Sequence, residues 1–248
     1  MANIYETIYP KFKKEFSYAE LNEIYTPTDA EFALAEKVTK RKGTKLCFLI
    51  TLKCFQRLGY FVTFSNIPEP IISHISKCIN INMTNSTIKT YDNSDTRLRH
   101  LQIIRAFLEV LSFDSKARHL IVVAIGKAAK TKEEPTDLIN IAIEELIKNS
   151  YELPAFSTIE RAVNRIRVSV NRSFYRKIFD SLDEEEVNKI NNLLENDEDL
   201  KSTPWNMIKK ESSSPTLNHL KEIVNQLSWL KEQSIAVLEK YSRQAQEV

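Results

Sequence analysis

Three of the 248 residues are glycine, Gly43, Gly59 and Gly126, each standing alone. That is about 1%, against about 7% in ordinary proteins. Tight hairpins use glycine wherever the backbone takes positive φ, so a many-stranded sandwich or barrel is disfavoured. Phosphate-cradling loops of the GxGxxG or GxxxxGK[ST] kind are absent outright. The expectation is an all-α chain in which only YFVTF could be extended, and 42% hydrophobic composition supplies enough apolar side chains for one large or two modest cores.

Thirty-five basic and 33 acidic residues leave a formal charge of +2, but the sum hides segregation. Arg161, Arg165, Arg167, Arg172, Arg176 and Lys177 follow one another with no acid among them, and then Asp183 to Asp199 carries acids against the single Lys189. Cys47, Cys54 and Cys78 are odd in number and form no CxxC, which suits a reducing compartment. The start, MANIYETIYPKFKKEF, has no apolar leader core, and no run of about 18 apolar residues occurs, so a cytoplasmic protein without membrane association is expected.

Helical periodicity organises the chain. A weak segment at 18–25 precedes a helix from Asp29 to Lys40 introduced by Pro27 and Thr28. Gly43 reads as a helix terminator and Thr44 as the next cap, so that LCFLITLKCFQRL runs to Gly59 as a central helix with Lys53, Gln56 and Arg57 as its polar strip. Pro68 and Pro70 open a helix to Ile79, and Ser94 to Leu111 reads as a long amphipathic helix. A helix from Ser115 to about Lys130 closes a first domain, 1–130, and KTKEEPTD reads as a linker.

The second domain, 136–200, is the most informative. LINIAIEELIKNS, the break YELPAF with Pro154, and then STIE as a capping box make the helix-turn-helix pattern. At 100° steps Ile159, Ala162, Val163, Ile166 and Val170 share one face. The opposite side carries Arg161, Asn164, Arg165, Val168 and Arg172, with Ser157 and Thr158 at the N-terminus. Such a set suits a major groove, because Arg bonds guanine bidentately, Asn bonds adenine and an outward Val meets a thymine methyl.

Two further basic groups are candidates for phosphate contact, Lys40, Arg41, Lys42 and Lys45 around the Gly43 turn, and Arg97, Arg99 and Arg105 on the Ser94 helix. Cys47 and Cys54 read as small core residues, and the four histidines lack zinc-ligand spacing. No metal site, cofactor site or catalytic constellation is expected. A final helix, in the segment 215–248, places Leu220, Ile223, Leu227, Leu230, Val237 and Tyr241 at helical spacing, an apolar face left for a partner.

LCFLITLKCFQRLGYFVTFSNIPEPIISHI, YDNSDTRLRHLQIIRAFLEVLSF, LINIAIEELIKNSYELPAFSTIERAVNRIR and PWNMIKKESSSPTLNHLKEIVNQLSWL together resemble the N-terminal part of Tn3-family transposases, with its DUF4158-type domain. The resemblance implies two helical DNA-binding domains with helix-turn-helix-like units, followed by a linker helix. It implies double-stranded DNA at the terminal inverted repeats as partner, and a nucleoid-associated protein. In ELPAFSTIERAVNRIR it places the turn and reading helix of the second domain, while the first would be built on the Gly59-ended helix and the Arg97 to Arg105 helix. Members of that family are several times longer and carry a DDE-type nuclease far downstream that nothing here matches. This chain is then expected to bind ends without cutting or joining, its last helix leading to downstream domains or to self-association. A helical protein-interaction module working through that last helix is the alternative.

Overall fold

The computed structural model describes residues 3–81, 90–195, 202–209 and 216–232. Helices form the regular structure there, and among the described residues no sheet is found. Leu111 and Tyr151 pair in an isolated parallel bridge. The all-α expectation holds, and YFVTF is an extended stretch leading into a single 3₁₀ turn at Phe64–Asn66. The chain divides into two compact units after Val168.

In the first unit, a turn of helix at Tyr18–Glu20 under a Ser17 capping box widens into a π turn at Leu21–Tyr25. Helix α1 (Asp29–Val38) starts under a reciprocal cap between Thr28 and Glu31. The next helix, α2 (Lys42–Leu58), begins earlier than its sequence suggested. Arg41 occupies its N-cap, and Gly43 and Thr44 lie inside its first turn rather than marking a stop and a start. Thr39, in extended conformation, is what ends α1. At the other end Gly59 at φ 72° terminates α2 as expected, its N–H donating to the Phe55 carbonyl at 2.7 Å.

Every residue of α2 from Leu46 to Phe55 is buried. Around it gather Ala35 of α1, Ile71, Ile72 and Ile75 of α3 (Glu69–Cys78), and Ile104 of α4 (Asp95–Phe107), a first hydrophobic cluster. Cys47 and Cys54 belong to it, and burial pushes both thiols up to about 12, so they are packing groups rather than nucleophiles.

A second cluster joins Ala117, Ile121 and Ile125 of α5 (Ser115–Ala128), Leu138 to Leu146 of α6 (Pro135–Lys148), and Ile159 and Val163 of α7 (Phe156–Phe179). Here the structure departs from the sequence-derived division. Among the described helices α5 and α6 form the most extensive pair, so the Lys130 to Pro135 segment joins two helices of one core. Its charge and proline suit a solvated turn between antiparallel neighbours as well as they suit a linker.

The two clusters of this unit are laced together. Leu153 N–H donates to the Gly59 carbonyl (2.8 Å), Leu111 N–H to Ser150 (2.8 Å) and Glu152 N–H to Leu111 (2.9 Å). The N-terminal segment adds a strap, Ile8 N–H reaching Asn140 Oδ1 at 3.0 Å and the Tyr9 hydroxyl donating to the Pro154 carbonyl at 2.9 Å. Tyr9 stacks on Tyr60 and meets Phe156 edge-on.

In the second unit, Asp183 and Glu186 cap α8 (Glu184–Leu194) reciprocally, and α9 (Pro204–Ile208) packs against it. The last described helix, α10 (Leu217–Glu232), exposes Leu217, Leu220, Val224 and Leu227 and half-buries Ile223. Val237, Tyr241 and the side chain of Leu230 lie outside the described residues. No helix among the described residues is long and apolar enough to cross a membrane.

Candidate nucleic-acid interface

α6 ends by turning left-handed at Ser150 (φ 56°), with Tyr151 N–H donating back to Leu146 and Ser150 N–H to Ile147. That closure satisfies the last carbonyls and throws the chain into the extended YELPAF stretch. Pro154 and the bonds of Glu152 and Leu153 hold the stretch in place, and α7 starts at Phe156, one residue before the expected Ser157 cap. Thr158 N–H bonds to the Ala155 carbonyl, which puts Ser157 inside the first turn, where its side chain faces water instead of closing a box with Glu160.

From there α7 follows its sequence pattern. Ile159 and Val163 are fully buried, and Ala162 and Ile166 pack partly against the same cluster. Ser157, Arg161, Asn164, Arg165 and Val168 are all exposed on the opposite side, Val168 at 59%, and Thr158 is half-buried. With Ile159 and Val163 locked, rotation of the helix about its axis is not available, so the outward set is held as a set. The first turn carries no acid, and the peptide dipoles at this end favour an anion. Arg172 lies on the continuation of α7 in the second unit and is exposed.

The other candidates fare differently. Arg105 sends two bonds to Glu152, Nε to Oε2 at 2.9 Å and Nη2 to Oε1 at 3.1 Å, and sits over the Phe61 ring. Arg97 pairs with Asp92 at 3.2 Å and bonds the Val62 carbonyl. Both guanidiniums are thus engaged within the fold, while Arg99 is exposed and bonds the Thr96 hydroxyl one turn back. Lys45 pairs with Glu36 at 2.9 Å beside Phe32, whereas Lys40, Arg41 and Lys42 are exposed around the α1–α2 turn.

Sequence reasoning overlooked two supports of this interface. Glu152 carries no motif of its own, yet besides Arg105 it accepts from Phe113 N–H at 3.1 Å and so ties α4 and the segment before α5 to the turn before α7. Tyr9 lies in a stretch read only for the absence of a leader; the aromatic and proline content of IYETIYP was the signal that it packs on something. Among the described residues no group of three or more His, Cys, Asp or Glu could hold a metal ion.

Comparison with known proteins bears on this geometry. A family described as domain of unknown function DUF4158 matches residues 3–166. The transposase for transposon Tn501 of Pseudomonas aeruginosa is 26% identical over 214 residues, covering 85% of this chain and 21% of the relative. The transposase for transposon Tn1546 of Enterococcus faecium is 22% identical over 196 residues, covering 77% and 20%. The chain therefore spans about a fifth of the length of these curated relatives. With the family matching about two thirds of the chain and both relatives aligning over most of it, the protein belongs to the DUF4158 family and corresponds to the N-terminal region of Tn3-family transposases.

Proposed function

We propose that this chain binds duplex DNA at transposon ends, with α5, α6 and the first half of α7 acting as a helix-turn-helix-like unit whose α7 enters the major groove. One observation carries the reading: Arg161, Asn164, Arg165 and Val168 stand exposed on one face of a helix whose other face is locked into a core by Ile159 and Val163. A base-reading helix needs that combination, because discrimination depends on side chains held in register with base edges. The absence of acid from Arg161 to Lys177 lets the face approach phosphates without repulsion. Lys40, Arg41, Lys42 and Arg99, also exposed, are assigned to backbone contacts; Arg97, Arg105 and Lys45 serve the fold first through their internal pairs. Strand cutting and joining are assigned to parts of the transposase outside these residues, and this chain to end recognition.

The test is fluorescence anisotropy of the full chain on terminal inverted-repeat DNA and on a scrambled duplex. Arg161→Ala and Arg165→Ala are each expected to weaken binding to the cognate end by about 1–3 kcal/mol and to relax preference at one base pair. Lys42→Ala weakens both duplexes alike. If Arg161, Asn164 and Arg165 are all replaceable with no change in the ratio of the two affinities, α7 does not read bases.

The exposed Leu217, Leu220, Val224 and Leu227 on α10 favour a second reading, a helical interaction surface serving downstream domains or a second copy of the chain. Sedimentation of the full chain and of Leu220→Glu/Leu227→Glu compares them, an unchanged monomeric mass in both discarding self-association.

A further inference from the structure

The second half of α7 lies beyond the residues matched by the family and is organised unlike the first. Asn171 to Lys177 are exposed without interruption, which is about two full helical turns. An amphipathic helix lying on its own domain would bury at least one residue in every four, whereas all seven of these keep exposed surface, Phe174 and Tyr175 meeting each other edge-on. Its exposed side chains are nevertheless not those of an idle solvated helix. Arg172, Arg176 and Lys177 supply three cations, and Tyr175 and Phe179 stand 64% and 62% exposed.

Helical spacing puts Arg172, Tyr175, Arg176 and Phe179 on one stripe, at i, i+3, i+4 and i+7. None of the ion pairs among the described residues involves Arg172, Arg176 or Lys177. The nearest acids in sequence, Asp180 and Asp183 to Glu186, follow the stripe, and of these Glu185 pairs with Lys189 while Asp183 and Glu186 cap α8. The sign of these exposed cations requires a partner of the stripe to be anionic.

We infer that the stripe Arg172, Tyr175, Arg176 on the second half of α7 is a phosphate-backbone clamp on duplex DNA, supplying affinity without base preference. Two arginines one turn apart with a tyrosine hydroxyl between them match successive phosphates, which Arg and Tyr side chains contact without reading sequence. An acidic protein surface has the same sign, but charge complementarity here comes with no acid anywhere from Arg161 to Phe179, as a rod of phosphates demands along its length. The inference rests on the DNA-binding reading above and adds a division of labour along one helix.

The experiment measures anisotropy binding of the full chain to the inverted-repeat and scrambled duplexes across a salt series, for the parent, Arg172→Gln/Arg176→Gln and Arg172→Lys/Arg176→Lys. Helicity by circular dichroism confirms that each variant is folded, and Gln keeps helix propensity close to that of Arg. The Gln pair is expected to lower the slope of log K against log salt by about two units on both duplexes, leaving the ratio of the two affinities unchanged. The Lys pair is expected to retain the parent slope, since a phosphate contact needs charge rather than a planar fork. An unchanged slope in the Gln pair overturns the clamp even where the parent prefers the cognate end, and so does a change in the affinity ratio with the slope intact. Should the parent bind both duplexes equally, end recognition fails while a slope lowered by the Gln pair still supports the clamp. A parent that binds no duplex overturns both.

Discussion

At the scale of single residues, buried polar groups are built in beside the apolar side chains of the first cluster. His100 is 3% exposed, its Nδ1 lies 2.9 Å from the Tyr91 hydroxyl and its ring stands edge-on to Phe48. Burial, with the nearby Arg99 charge, holds its pKa down to about 4. His74, bonded to Thr26, is lowered in the same direction by burial and then by Lys77. A base with a depressed folded-state pKa is neutral in the fold and takes up its proton more readily when unfolded. Its contribution is therefore present above the unfolded value near 6.5 and is lost as pH falls from about 6.5 towards 4. Urea unfolding between pH 7.5 and 4.5 is expected to show stability dropping across that window, His100 accounting for at most about 3 kcal/mol. His100→Asn, which keeps an acceptor facing Tyr91, should flatten the dependence; a slope equal to that of the parent would remove His100 as its source. None of this was legible beforehand, because a histidine on an amphipathic helix reads the same whichever neighbour it meets. Lys53 makes the same point: its place in a polar strip was visible, but its partner Glu31 lies 22 residues away on α1 and draws Lys53 (3.3 Å) and Gln56 (2.6 Å) inward onto a buried carboxylate.

Elements were read more securely in their interiors than at their ends, and the ends explain the scarcity of glycine. Gly59 is the one described glycine with positive φ, while Asn80 (51°), Glu109 (56°) and Ser150 (56°) adopt the same left-handed conformation with side chains in place. Each closes a helix alike, the following residue donating five positions back: Ile81 to Ser76, Val110 to Arg105, Tyr151 to Leu146. Ile81, Val110 and Tyr151 are apolar and pack against a cluster, which accompanies this kind of closure. For that reason α4 stops at Phe107 although its apolar periodicity runs on to Leu111. Packing of the residue after the turn stabilises a conformation that the residue in the turn resists by about 1–2 kcal/mol. Glu109→Gly relieves that strain at a cost of about 0.5–1 kcal/mol in unfolded-chain entropy, a net gain centred on about 0.75 kcal/mol. Glu109→Gly is expected to raise Tm by about 1–4 °C, and Glu109→Val to lower it. A lower Tm for Glu109→Gly would mean that the Glu109 side chain contributes more than its backbone costs.

For the whole molecule, periodicity sufficed to give the helical class, the central α2 and the inward and outward faces of α7, since each depends on residues a few positions apart. Which helices share a core depends on contacts between distant segments, and there the reading from sequence stopped short. A segment of Lys, Glu, Thr and Pro between two helices is compatible with a linker and with a turn; the difference lies in whether the apolar faces of α5 and α6 meet, and they do. The first compact unit ends at Val168 and the family match at residue 166, so the folded unit and the family domain share a boundary inside α7. This leads to a prediction about fragments. A chain of residues 1–130 would strip Leu138 to Val163 from the second cluster, leaving Ala117, Ile121, Ile125 and Tyr9 without their partners. It would also remove Glu152 from Arg105 and Leu153 from Gly59, loosening the end of α2 where the two clusters meet. Residues 1–168 keep all of these and make up the whole of the first compact unit. The 1–168 fragment is therefore expected to unfold in one cooperative transition, and the 1–130 fragment to give a broad, weak one with exposed apolar surface that binds a hydrophobic dye. Proteolytic nicking at the exposed Lys130 and Lys132 should leave two pieces that travel together on gel filtration until denaturant is added. If the 1–130 fragment instead unfolds as sharply as 1–168, the N-terminal helices are an independent domain, and the bonds through Glu152 and Leu153 merely dock it.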